Sequence, residues 1–190
     1  MLRLASPNEP DLTWLRKRAQ AHQDPATLLE LSEKIFRLRP NLQGYRELHQ
    51  LAQEEGRWPA LRPRLLDFLK QPHFTYLLIQ VYLHEGDIDA ALEAVRKERG
   101  YGAGLQLTVA AAAEQTRPHE ALAIYRRQAE EEIEQRGRDH YRTACRYLTK
   151  VRALYRQAGQ GAAWDDYVAG LRQRHRTLRA FQEELGRAHL

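Results

Sequence analysis

The chain has 190 residues, of which 43% are hydrophobic and 29% charged, a balance that fits a folded domain or a short repeat array and is too apolar for a disordered chain. The longest apolar stretch, as at Val109–Ala113, is five residues, far short of the roughly 18 that a membrane helix needs. The net charge of +5 is unevenly placed: residues 1–95 hold 12 basic and 13 acidic side chains, whereas residues 96–190 hold 18 and 12. Met1 to Pro10 lack the apolar core of a secretion signal, and the single cysteine, Cys145, excludes an internal disulfide and any cysteine-built zinc or iron–sulfur site. These features lead to the expectation of a soluble, cytoplasmic protein with no membrane segment.

Strand signals are nearly absent, and Pro and Gly fall at short intervals as punctuation between helices. Asp11 is a candidate N-cap for a helix running to about His22. Asp24, with Pro25 at the first helical position, opens a second that carries Leu28, Leu31, Ile35 and Leu38 on one stripe and stops at Arg39-Pro40. Asn41 caps a third, ending at Gly56. Helices follow over Trp58 to Leu69, Pro72 to Glu85 and Asp87 to about Arg99. The glycines of Gly100 to Gly104 predict a loop and a hinge. Beyond it come Leu105 to Gln115, Pro118 to Arg136, Tyr141 to Ala158, Ala162 to His175, and a last helix from about Leu178. Connections this short predict an all-α protein of antiparallel neighbours: a tail over 1–10, and one helical-repeat domain over 11–190 with a capping helix at about 178–190.

Self-similarity supports this reading. Gly86-Asp87-Ile88-Asp89-Ala90-Ala91-Leu92 has the layout of Thr116-Arg117-Pro118-His119-Glu120-Ala121-Leu122 thirty residues later. Gly56 to Leu61 follows it with its leucine one place early, Gln23 to Leu29 matches in register, and Gly159 to Trp164 matches loosely. A turn, a cap and then small residues at the close approach of two helices predict four or five degenerate helix–turn–helix repeats in a short right-handed solenoid.

Tyr82-x-x-x-Gly86-Asp87-x-x-x-Ala91-Leu92 resembles the turn and second helix of a tetratricopeptide repeat. A longer stretch resembles the C-terminal helical region of bacterial SWIM zinc-finger proteins. It includes Arg117-Pro118-His119-Glu120-Ala121-Leu122-Ala123-Ile124-Tyr125, then Arg136 to Tyr141, Tyr147-Leu148 with Val151-Arg152 and Leu154-Tyr155, and Trp164 to Val168 with Leu171 to Arg176. Arg39 to Arg46 and Gly56-Arg57-Trp58 extend it upstream. The Cys-x-Cys and Cys-x-His zinc motif that names the family is absent, so its metal-linked activity is not implied. The resemblance implies a C-terminal fragment or a stand-alone relative without assigned catalytic residues, in a family whose whole proteins engage DNA or other proteins.

The residues offer little chemistry. Ser6 and Ser32 lie in a tail and inside a helix, and no nucleophile elbow exists. Cys145 falls on the apolar stripe of Tyr141, Ala144, Leu148 and Val151, where a buried small hydrophobe is expected. The eight histidines show no metal-protease spacing, and Gly100 to Gly104 lacks the Lys and Ser or Thr of a phosphate loop. Glu130, Glu131, Glu132 and Glu134 spread around their helix, as a solvated face paired with Arg126, Arg127 and Arg136 would. The expectation is therefore a protein that is not an enzyme, needs no cofactor or metal, and holds a protein partner in a groove. Tyr45, Tyr76, Gln80 and Gln106 are the groove candidates, although both tyrosines fit an inter-repeat core equally well. The alternative is nucleic-acid binding: Arg172, Arg176 and Arg179 recur at helical spacing and, with Arg174, could meet phosphates or an acidic partner. The same arginines could instead pair with Asp165, Asp166, Glu183 and Glu184.

Overall fold

In a computed structural model, which describes residues 9–97 and 103–190, the chain is all-helical. It forms two compact units, one ending at Gly86 and one beginning at Asp87. The expected hinge lies largely outside the described residues, as does most of the expected tail. The first unit holds α1 (Glu9–Ala21), α2 (Pro25–Leu38), α3 (Leu42–Glu54), α4 (Trp58–Leu69), a 3-10 turn (Pro72–Phe74) and α5 (Thr75–Glu85). The second holds α6 (Ile88–Lys97), α7 (Ala103–Ala113), α8 (Pro118–Gln135), α9 (Arg138–Gln157), α10 (Gly161–Arg174) and α11 (Arg179–Arg187).

Local chemistry sets the helix ends. Asp24 accepts a hydrogen bond from the Thr27 N–H at 3.1 Å, and Asn41 accepts one from Gly44 at 2.8 Å. Asp87 does the same for Ala90 at 3.1 Å. Each short side chain thereby satisfies a donor that the first helical turn leaves open. Gly86 closes α5 at φ 74°, the left-handed conformation in which a side chain would be strained.

The repeat is visible residue by residue. Four places after the helix-start residues Asp24, Arg57, Asp87, Arg117 and Gln160 stand Leu28, Leu61, Ala91, Ala121 and Trp164. All but Leu28 are buried, and Leu28 is partly so. The inward position is therefore occupied whether the residue is small or large, which explains why the leucine of the Gly56 segment falls one place early. Within each unit, ion pairs join helices two apart. In the first unit Arg16 of α1 meets Glu47 of α3 at 2.8 Å, and Arg64 of α4 meets Glu33 of α2 at 2.9 Å. In the second, Arg117, which caps α8, meets Asp89 of α6 at 2.6 Å, and Lys150 of α9 meets Glu114, just past α7, at 3.1 Å. Within each unit, alternate helices thus lie side by side, the geometry of stacked helix pairs.

The first core gathers Tyr45, Leu48, Ala52, Leu65, Leu69 and Val81, each fully buried. A smaller cluster of Leu12, Ala19 and Leu31 joins α1 to α2. In the second unit Ala110, Ala113, Ala121, Ala129 and Ala144 are fully buried, so that α7, α8 and α9 approach closely along small residues. The C-terminal helix is seated through Phe181 and Leu185, both fully buried. The Phe181 ring lies 5.5 Å from Tyr141 of α9 and edge-on to His175, while Trp164 packs with Tyr155 and Tyr167.

Candidate interaction surfaces

In the first unit α3 and α5 are held together by a polar knot. The Tyr45 hydroxyl donates to Glu85 at 2.7 Å, and Arg62 of α4 grips the same carboxylate through Nε and a terminal nitrogen, the shorter contact being 2.7 Å. Burial pulls the Glu85 carboxyl upward, but the hydrogen bonds from Arg62 and Tyr45 outweigh it and hold the pKa below its ordinary value. Burial, with the Glu85 charge, drives the Tyr45 phenol well above its usual range. Beside this knot the His49 ring lies 4.3 Å from Trp58 and 6.2 Å from His84. Burial, followed by the charges of Arg46 and His49, holds the His84 pKa below its ordinary value.

The groove candidates separate here. Tyr45 is fully buried and cannot touch a ligand: its ring fills the core against Phe36 and Trp58, and its hydroxyl is spent on Glu85. Tyr76 is different. It is 50% exposed on α5, although its neighbours Thr75, Leu77, Leu78 and Ile79 are all buried. Gln80, one turn further along α5, is half-buried. Gln106 belongs to the second unit, where its side-chain oxygen accepts from Arg127 and, at 3.3 Å, from Gln128.

The arginine stripe is not formed. It required one continuous helix, but α10 stops at Arg174 and α11 starts at Arg179, with a turn between them. Arg172 donates to the Leu190 carbonyl oxygen at 2.5 Å, beside Arg152, which donates to that of His189 at 2.7 Å. Both arginines hold the two residues that follow the turn closing α11. Arg174 sits 3.6 Å from Glu130. Arg176 and Arg179 are exposed, and their side chains make no hydrogen bond or ion pair among the described residues.

Of the expected acidic partners, Asp165 and Asp166 are exposed, and Glu183 and Glu184 are engaged by other arginines. Glu184, only 5% exposed, is met by Arg138 at 3.0 Å, Arg187 at 2.7 Å and Arg142 at 3.7 Å, while Glu183 pairs with Arg138 at 2.7 Å. The glutamate run of α8 is likewise divided. Glu130 accepts from the Tyr167 hydroxyl at 3.0 Å, Glu132 meets His140 at 2.6 Å, and Glu131 lies 3.7 Å from Arg127. Arg126, instead of pairing with that run, lies 4.2 Å above the Tyr167 ring and donates to the Tyr155 hydroxyl at 3.3 Å. Sequence spacing could not reveal the Arg138–Glu184 contact, since 46 residues separate its partners.

A further surface, unmarked by any sequence motif, lies on the first helix pair. Trp14 and Leu15 of α1 and Leu38 of α2 are 58%, 37% and 54% exposed, and Pro10, Thr13, Trp14, Lys17 and Arg39 line an open cleft.

Among the described residues no three His, Cys, Asp or Glu side chains converge as metal ligands would. Cys145 is buried, and burial followed by the Glu184 charge pushes its thiol up to about 11. The Ser32 hydroxyl is buried in α2 with no hydrogen-bond partner, and so has no base beside it. No helix among the described residues is long and apolar enough to cross a membrane.

No protein-family model matches the chain. A segment of 73 residues is 37% identical to the uncharacterized protein YwqB of Bacillus subtilis (strain 168). The match covers 38% of this chain and 14% of that protein, so the chain spans only a small part of the relative's length.

Proposed function

We propose that this chain is a non-catalytic helical-repeat scaffold that holds a protein partner on the α3–α5 face of its first unit. The observation that carries the reading is Tyr76. A large aromatic, half in water and without a hydrogen bond or ring contact among the described residues, stands on a helix whose adjacent side chains are anchored in the core. Rigidly presented tyrosines give contact area at small entropic cost and are common binding hot spots. Most of the well-placed ion pairs are internal ties between helices, so they support assembly of the scaffold and leave no reactive set. The resemblance to SWIM proteins, which engage DNA or other proteins, agrees with this role. The buried thiol of a single-cysteine chain suits the reducing cytoplasm, where we place the protein.

Affinity capture from the native cell tests the proposal, comparing the wild type with Tyr76→Ala. The expected result is loss of a captured protein with a melting curve nearly unchanged, because an exposed side chain contributes little to stability. Undiminished capture by the variant would overturn the assignment, as would a loss of several kcal/mol on truncation, the mark of a core side chain.

A nucleic-acid reading draws on Arg176 and Arg179, the two C-terminal arginines left without partners among the described residues. Nuclease treatment during the same capture discriminates it. Recovery of nucleic acid alone, abolished by nuclease and weakened steeply by salt, would favour it over the scaffold.

A further inference from the structure

We infer that the α1–α2 pair of the first unit carries a second docking surface, centred on Trp14, for an acidic peptide segment with a bulky apolar anchor. Three of the four exposed large hydrophobic side chains among the described residues fall on this pair: Trp14, Leu15 and Leu38. The fourth, Tyr76, belongs to α5, so the two surfaces are separate observations on different helices. Along α1 the inward stripe is already supplied by Leu12 and Ala19, which pack with Leu31. Trp14 points away from that stripe, and its exposure does no work in the fold.

The surroundings of the ring select its occupant. Among the described residues the cleft it lines has Lys17 and Arg39 as its charged members, and the Arg18 guanidinium lies 5.5 Å from the Trp14 ring centre. An indole set among cations favours an apolar side chain seated on the ring with carboxylates turned toward the basic rim. The same charge argues against a second copy of this face. Two such surfaces brought together would oppose Lys17, Arg18 and Arg39 to their own images, and like charges meeting across an interface are unfavourable. A basic partner is disfavoured for the same reason.

The intact chain is tested with two synthetic helical peptides of about 16 residues. One is built from Glu and Ala with a Phe and a Leu one turn apart, and the other has Lys in place of each Glu. Tryptophan emission is the readout, since Trp14 is the exposed indole while Trp164 is buried and Trp58 is half-buried. The glutamate peptide is expected to shift emission to the blue, protect the fluorescence from acrylamide, and bind more weakly as salt is raised. With a fluorophore on the peptide, whose anisotropy reads binding without Trp14, Trp14→Ala or Lys17→Glu is expected to weaken it at least tenfold with an unchanged helical spectrum, while Tyr76→Ala leaves it intact. The inference is overturned if neither peptide binds, if both bind alike, or if binding survives both substitutions. It is overturned also if sedimentation shows a dimer that Trp14→Ala dissolves, which would make a second copy the occupant.

Discussion

The Tyr45 hydroxyl donates a 2.7 Å hydrogen bond to Glu85, 40 residues away, and in doing so joins α3 to the last turn of α5. Arg62 of α4 completes the contact from the other side, so three helices meet at one carboxylate whose side chain is 9% exposed. Tyr45→Phe keeps the ring packing and removes only the donor, and should cost about 1.5 kcal/mol of stability. Glu85→Gln weakens both arms and should cost about 2 kcal/mol. Because the two side chains touch, the double variant should lose less than the sum of the singles. Chemical denaturation of the four proteins measures this, and strict additivity would show that the hydrogen bond contributes nothing.

The same carboxylate makes stability depend on acid. Its folded pKa is lowered, so the stabilisation is fully present above the unfolded value and is lost as the pH falls through the folded one. Wild-type stability should therefore decline below the ordinary glutamate range, about pH 4.3. Glu85→Gln cannot titrate, and its deficit against the wild type should shrink over that interval. Melting temperatures recorded between pH 7 and pH 3 give both curves; parallel ones would refute the linkage.

Ser32 offers a stabilising change. Its hydroxyl is buried at 6% exposure within α2 and has no partner, which leaves a desolvated polar group uncompensated. Ser32→Ala removes that group and installs a better helix former at the same volume class. Stability should rise by about 1 kcal/mol, which for a chain of this size corresponds to a melting temperature higher by roughly 2–4 °C. A lower melting temperature would mean that the hydroxyl has a partner in solution.

Glu183 and Glu184 are adjacent in sequence but unequal in setting. Glu184 is buried and faces Arg138, Arg142 and Arg187, whereas the Glu183 side chain is 55% exposed. Glu184→Ala removes the carboxylate that three half-exposed guanidinium groups share and should cost about 1.5 kcal/mol. Glu183→Ala should stay within about 0.5 kcal/mol. Equal effects in urea unfolding would show that burial does not decide between them.

The fold was legible because its signals are local. Pro25, Asp24, Asn41 and Gly86 mark helix ends through contacts with residues three or four places away, and the structure puts those ends where the residues indicate. The surface was less legible because its partners are remote in sequence. Tyr45 and Tyr76 look alike as aromatic residues on first helices of pairs, but α5 turns one outward while Glu85 and the α3–α4 core claim the other. Helical spacing joined Arg172 to Arg176 and Arg179, yet the turn after Arg174 separates them and the Leu190 oxygen beyond α11 recruits Arg172. Trp14 gave no signal at all, since exposure of a single apolar residue is a tertiary property.

Cys145, the chain's single cysteine, reports on how α11 is seated. It lies on α9 at 5% exposure, beside a cleft lined by Arg142, Glu184, Arg187 and Ala188. A thiol held at about 11 is almost wholly protonated at pH 8, and thiolate is the reactive form. Alkylation of the native protein should then be slower than that of an unfolded cysteine by on the order of a hundredfold, before any steric shielding is counted. Phe181 anchors α11 against Tyr141, so Phe181→Ala leaves a cavity in that contact and should cost about 3–5 kcal/mol. Removal of residues 177–190 takes away α11 itself, together with Glu184, whose charge also raises the thiol. Both variants should therefore show faster alkylation at pH 8, the truncation most of all, and the truncated protein should melt lower and bind hydrophobic dyes. An unchanged alkylation rate and melting temperature after truncation would mean that α11 is detached from α9 in solution, and would leave Arg176 and Arg179 free on a mobile, basic tail.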